Sequence, residues 1–221
     1  MLDKERYIDT LIALLKREFH SRLLYVGLQG SYLRNEVTEK SDIDIMVVLD
    51  DLSINDLALY RNIIEEIGDS DKSCGFICGK SELINWNPLE MCHLVHTTKD
   101  YYGKLTELIP MYTKEDERNF IKQSLNNLYH VLCHSYIHAT KENNIEILLN
   151  SYKSVFFILQ NICFQETGRF IQTQKELLSE LSGVDEKVFV KALELRNNEI
   201  SDFDEAFQII FDWCKNTIQT M

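Results

Sequence analysis

The stretch that most constrains this chain is residues 30–49. Gly-Ser-Tyr-Leu-Arg-Asn-Glu-Val-Thr-Glu-Lys-Ser-Asp-Ile-Asp runs straight into Ile-Met-Val-Val-Leu. The apolar run predicts a buried strand, and Asp42 and Asp44 stand at its head. Alternate residues of a strand share a face, so the two carboxylates lie side by side while Ile43 and Ile45 point the other way. Like charges this close cost stability unless a proton or a cation offsets them. Mg²⁺ is the fitting cation, because it takes one or two carboxylates and completes its shell with water and substrate phosphates. Upstream, Gly30 lets backbone approach closely. Ser31 opens a predicted helical turn over residues 32–36, whose free N–H groups suit an anion.

Composition narrows the classes. A chain of 221 residues with 45% hydrophobic and 26% charged side chains buries a sizeable core and is not disordered. A net charge of −12 argues against a nucleic-acid binder or an RNA-processing polymerase. The same charge favours a cationic small substrate. No uninterrupted apolar run reaches the roughly 18 residues of a membrane span. Met-Leu-Asp-Lys-Glu-Arg at the N-terminus lacks the apolar core of a signal peptide. These features predict a cytoplasmic protein without a membrane partner, as a monomer or homodimer. The six cysteines include no Cys-x-x-Cys pair and read as reduced, mostly small hydrophobes. His130, His134 and His138 share one helical face, which reads as a polar bundle face before it reads as a ligand set.

Apolar periodicity predicts a helix over residues 2–19, strands at 22–29 and 43–49, and a helix at 54–67 capped by Ser53. A short third strand is expected at 74–78 and another at 83–86, with 89–95 ambiguous and a turn at Tyr101-Tyr102-Gly103. Beyond residue 112 prolines cease and five helices are expected, at 115–139, 145–166, 173–181, 185–195 and 202–218. The expected organisation is a mixed α/β domain over residues 1–112 and a helical bundle over 113–221.

The Gly-Ser, spacer, Ser-Asp-x-Asp and hydrophobic strand together resemble the signature of the polymerase-beta-like nucleotidyltransferase superfamily. Residues 152–176, YKSVFFILQNICFQETGRFIQTQKE, look like the C-terminal helical domain of the aminoglycoside (streptomycin/spectinomycin) adenylyltransferases. The resemblance implies an α+β fold: an N-terminal nucleotidyltransferase fold, a small mixed sheet with helices, followed by an all-α bundle. It implies transfer of a nucleoside monophosphate, AMP from ATP or the equivalent from another triphosphate, to a hydroxyl of a small acceptor. A cationic or polyhydroxylated, aminoglycoside-like antibiotic would fit that acceptor. It also assigns Mg²⁺ to Asp42 and Asp44, and nucleotide contacts to Gly30, Ser31, Arg34, Ser41 and Lys175.

Two departures stand against the pattern. The superfamily normally supplies a third carboxylate from the third strand, but residues 73–78 contain no acid. Glu90, ahead of Glu82, is the replacement candidate as catalytic base. Asn150 stands where an acid contacting a cationic drug is expected, and Lys175 follows Thr167-Gly168 at a longer spacing than the family's. The alternative reading is a catalytically degenerate nucleotide-binding module, favoured by Gly75 in the third strand. A further rival is a protein-modifying enzyme like the toxin–antitoxin nucleotidyltransferases.

Overall fold

The computed structural model describes residues 3–39, 41–197 and 202–221. The chain forms two compact units, Met1–Tyr112 and Thr113–Met221. The predicted helix start at residue 2 lies outside the described residues.

The first unit is built on a four-stranded mixed sheet, in the order β3-β2-β1-β4. Its strands are β1 (Leu23–Gln29), β2 (Ile43–Leu49), β3 (Ser73–Gly79) and β4 (Lys99–Tyr102). β1 runs antiparallel to both neighbours, whereas β2 and β3 are parallel. Parallel neighbours need a crossover, and α3 (Ile54–Ile67) supplies it. Ser53 starts that helix with a reciprocal capping box to Asp56, an arrangement worth about 1 kcal/mol. Asp56 is also gripped by both terminal nitrogens of Arg22 at 2.9 Å.

Alternation along β2 explains its apolar run. Ile43, Ile45, Val47 and Leu49 pack with α1 (Lys4–Phe19) and α3 on one face. Met46 and Val48 pack on the other with Tyr25, Cys78, Leu83 and Leu105. A strand covered on both faces reads as continuous hydrophobics. Each fully buried apolar side chain contributes roughly 1.5–3 kcal/mol. Asp44 is the first residue of this second face.

Three local readings are corrected. Residues 83–86 do not form a strand; Lys80–Ile84 is a short helix, α4, that buries Leu83 under the sheet and leaves Ile84 exposed. The ambiguous run is α5 (Pro88–His96), started by Asn87 and by proline in its first turn. β4 escaped notice because Lys-Asp-Tyr-Tyr is a four-residue edge strand with no apolar alternation.

The second unit is entirely helical: α6 (Lys114–His138), α7 (Lys141–Thr167), α8 (Gln174–Glu180), α9 (Gly183–Asn197) and α10 (Phe203–Thr220). Thr113, Thr140, Thr173 and Asp202 cap four of these starts. Leu125, Leu132, Val155, Leu159, Ile210 and Trp213 sit in its core. Tyr152 donates its buried hydroxyl to the Ala206 carbonyl at 2.6 Å, and Trp213 Nε1 donates to Asp185 at the same distance. By length and composition α7 could cross a membrane, although polar side chains interrupt its apolar residues throughout. Most of that apolar stretch is buried against the rest of the helical core. The histidine rings of α6 lie tilted against one another along an exposed face, and the six cysteines form no disulfide.

Candidate active site

β1 ends at Gln29, and Gly30 turns the chain at φ +68° into α2 (Gly30–Arg34). The helical turn thus begins two residues before the expected 32–36. Gly30 is required twice over. Its backbone lies in the left-handed region, and a Cβ there would stand 1.8 Å from Asp44 Oδ2. The glycine therefore lets the Asp44 carboxylate lie directly against the turn.

Tyr32 anchors α2 in the core. Lys4 Nζ clamps its far end, donating to the Tyr32 carbonyl at 3.2 Å and to Asn35 Oδ1 at 3.0 Å. The start is left open. Gln29 gives no side-chain cap, because its amide donates to Thr98 Oγ1 at 2.8 Å. Among the described residues the Ser31 hydroxyl has no hydrogen-bond partner. Uncapped N–H groups and a spare hydroxyl form a surface for an anion.

Asp42 is exposed and Asp44 half-buried. Burial raises the Asp44 pKa above its ordinary value, and the neighbouring Asp42 charge raises it further. The Cys74 thiol and the Arg34 guanidinium pull it back down. Arg34 is thus an interior residue of the site, its side chain only 11% exposed and paired with Glu36 at 3.1 Å. Ser41 turns elsewhere, accepting from the Thr38 N–H at 2.9 Å to close the loop ahead of Asp42.

Asp42 and Asp44 suit Mg²⁺. Both offer hard oxygen atoms, the buried one carries a charge that a cation would relieve, and the open turn beside them can take phosphates that complete the shell. Among the described residues no three His, Cys, Asp or Glu side chains gather as a protein-only metal cage. Glu90 and Glu82 therefore do not complete a three-carboxylate centre. Glu90 lies in the first turn of α5, exposed, accepting from Trp86 Nε1 at 2.8 Å. Trp86 in turn neighbours Phe76, two residues beyond Cys74 on β3, with ring centroids 6.3 Å apart.

The residue opposite Asp44 in the β2–β3 register is Cys74, which the sequence reading passed over. Strand register was the missing information: nothing in residues 73–78 marks which position faces the carboxylate. Gly75 has a structural explanation. At φ +118° a Cβ would meet the Ile45 carbonyl oxygen at 2.0 Å, so the glycine lets β3 lie close to β2 and is no sign of decay.

In the helical unit, Lys175 is exposed in the first turn of α8. Asn150 lines a groove of about 530 Å³ between α6 and α7. Serines, asparagines and apolar residues line it, with no ionisable side chain among them.

A mixed sheet that sets two carboxylates against an open glycine-serine turn suits a metal-bound nucleoside triphosphate. A family model for a nucleotidyltransferase domain matches residues 8–82. A Methanocaldococcus jannaschii protein, provisionally named a protein adenylyltransferase, is 31% identical over 93 residues, covering 39% of this chain and 87% of that protein. The chain belongs to the nucleotidyltransferase family and is a nucleotidyltransferase enzyme. Its fold is shared with the spectinomycin adenylyltransferase AAD(9) from Enterococcus faecialis, solved with ATP and spectinomycin. That match has a TM-score of 0.64 at 17% identity and covers 97% of this chain and 99% of the other.

Proposed function

We propose that this enzyme transfers AMP from Mg-ATP to a hydroxyl group of a small acceptor. The observation that carries the reading is the Asp44 carboxylate held against Gly30, with Asp42 and Arg34 beside it and the α2 start open. ATP is supported by the adenylyltransferase relatives.

In this reading the first N–H groups of α2 and the Ser31 hydroxyl hold the terminal phosphates, and Arg34 adds positive charge. Fixing the leaving pyrophosphate orients the α-phosphorus for in-line attack. Asp42 and Asp44 hold Mg²⁺, which when bound neutralises triphosphate charge and stabilises the attacking and leaving oxygens. Glu90 is the proposed base: Trp86 occupies one carboxylate oxygen and the other accepts the acceptor's proton. Lys175 is a proposed further phosphate contact. Six cysteines without a disulfide suit the reducing cytoplasm in which we place the reaction.

A second reading has a protein hydroxyl as acceptor. It is favoured by the name of the M. jannaschii relative, whose similarity covers less than half of this chain. The test is pyrophosphate release from each of the four ribonucleoside triphosphates with Mg²⁺, against aminoglycosides, lincosamides, neutral polyols and a serine- and tyrosine-containing protein substrate. Release that requires ATP and a small hydroxylated compound supports the first reading. Release that requires only the protein acceptor replaces it with the second.

A further inference from the structure

Five cysteines of this chain are buried or half-buried, in places where a thiol serves as a small hydrophobe. Cys74 is different: it is exposed. Its packing contribution is small, yet its position is fixed by backbone. In the parallel β2–β3 ladder Asp44 is registered with Cys74, so the two side chains emerge from the same face of the sheet. Gly75 keeps the strands together, since any side chain there would strike the Ile45 backbone.

In that register the thiol lies beside the Asp44 carboxylate, where it lowers the carboxylate's pKa. On the opposite side that carboxylate rests on Gly30, so closely that no Cβ would fit between them. Asp44 is therefore bracketed, with a glycine that admits it on one side and the registered thiol on the other. A thiol is a weak donor with one proton to give, so it can orient a carboxylate without displacing other ligands from it.

We propose that Cys74 is a positioning residue of the nucleotidyl-transfer centre, holding the Asp44 carboxylate in the orientation that receives the metal-bound triphosphate. The proposal rests on the functional reading above, in which Asp44 serves the nucleotide. Residues that orient metal-binding carboxylates typically govern metal affinity or activity by 10–100-fold.

The test uses the full chain and α,β-methylene-ATP, which binds without transfer, and reads the Mg²⁺ concentration needed for half-maximal binding. Cys74→Ala, Cys74→Ser and Asp44→Asn are compared with wild type, and thermal unfolding confirms that each is folded. Cys74→Ala is expected to raise the required Mg²⁺ by about tenfold. Cys74→Ser, which keeps a donor, is expected to stay within about twofold of wild type, and Asp44→Asn to lose the Mg²⁺ dependence. Wild-type behaviour in Cys74→Ala beside a defective Asp44→Asn overturns the role of Cys74 alone. A serine variant as defective as the alanine variant overturns positioning by hydrogen bonding. Unchanged Mg²⁺ dependence in Asp44→Asn overturns the functional reading itself.

Discussion

Gly30→Ala separates the geometry of the site from the stability of the fold. The substitution forces alanine to adopt φ +68° and puts a methyl group 1.8 Å from Asp44 Oδ2. The left-handed backbone alone costs a non-glycine residue about 1 kcal/mol, which lowers Tm by about 2–4 °C in a chain of this size. The clash is relieved when the carboxylate swings away about its side-chain torsions. Real Cβ contacts stop near 3.0 Å, so Asp44 must retreat by about 1.2 Å. A misplacement of about 1 Å in a reacting group can cost 10²-fold in rate. The expected outcome is a folded enzyme with pyrophosphate release down about 100-fold. Gly183→Ala is the control. Gly183 also starts a helix at positive φ, +63°, but a Cβ there meets nothing within 4 Å. It bears the same order of backbone strain with turnover unchanged. Wild-type turnover in Gly30→Ala would refute the placement of Asp44 at the reacting centre.

Three further outcomes follow from the same structure. Burial raises the Asp44 pKa, so the folded chain binds that proton more tightly than the unfolded chain does. Its stabilising effect is present below the ordinary value of 3.8 and is lost as pH rises through the raised value. Asp44→Asn should therefore unfold at a higher temperature than wild type at pH 7, with the gap closing below pH 3.8; a gap independent of pH would contradict this. Ser53→Ala removes the acceptor for the Asp56 N–H and should cost about 1 kcal/mol by denaturant titration, while turnover per folded molecule stays the same. Leu125→Ala empties a fully buried site in the helical core and should cost about 2–5 kcal/mol, read as a shift in the denaturant midpoint.

The parts of the fold that could be read directly were those where one physical pattern dominated. β2 announced itself because both of its faces are buried, and α3 because a serine cap precedes a clean helical period. α4 was mistaken for a strand because five residues are too few to show a helical period. β4 was invisible because its pairing with β1, and not its side chains, makes it a strand. The site divides in the same way. Asp42, Asp44, Gly30 and Ser31 are close in sequence, so local spacing brought them together. Arg34 was a candidate on its place one turn into α2, and the packing of α2 sets it within reach of Asp44. Cys74 comes from a neighbouring strand, and only the register reveals its partner.

The most direct test of the central claim follows the α-phosphorus. ATP labelled at that position is incubated with Mg²⁺, the full chain and the acceptor panel, beside Asp42→Asn and Asp44→Asn. Transfer of the label to the acceptor by wild type, with pyrophosphate released and transfer lost in each variant, is the predicted result. Wild-type transfer in either variant, or movement of the γ-phosphate instead of the α, would contradict the assignment of this site to nucleotidyl transfer.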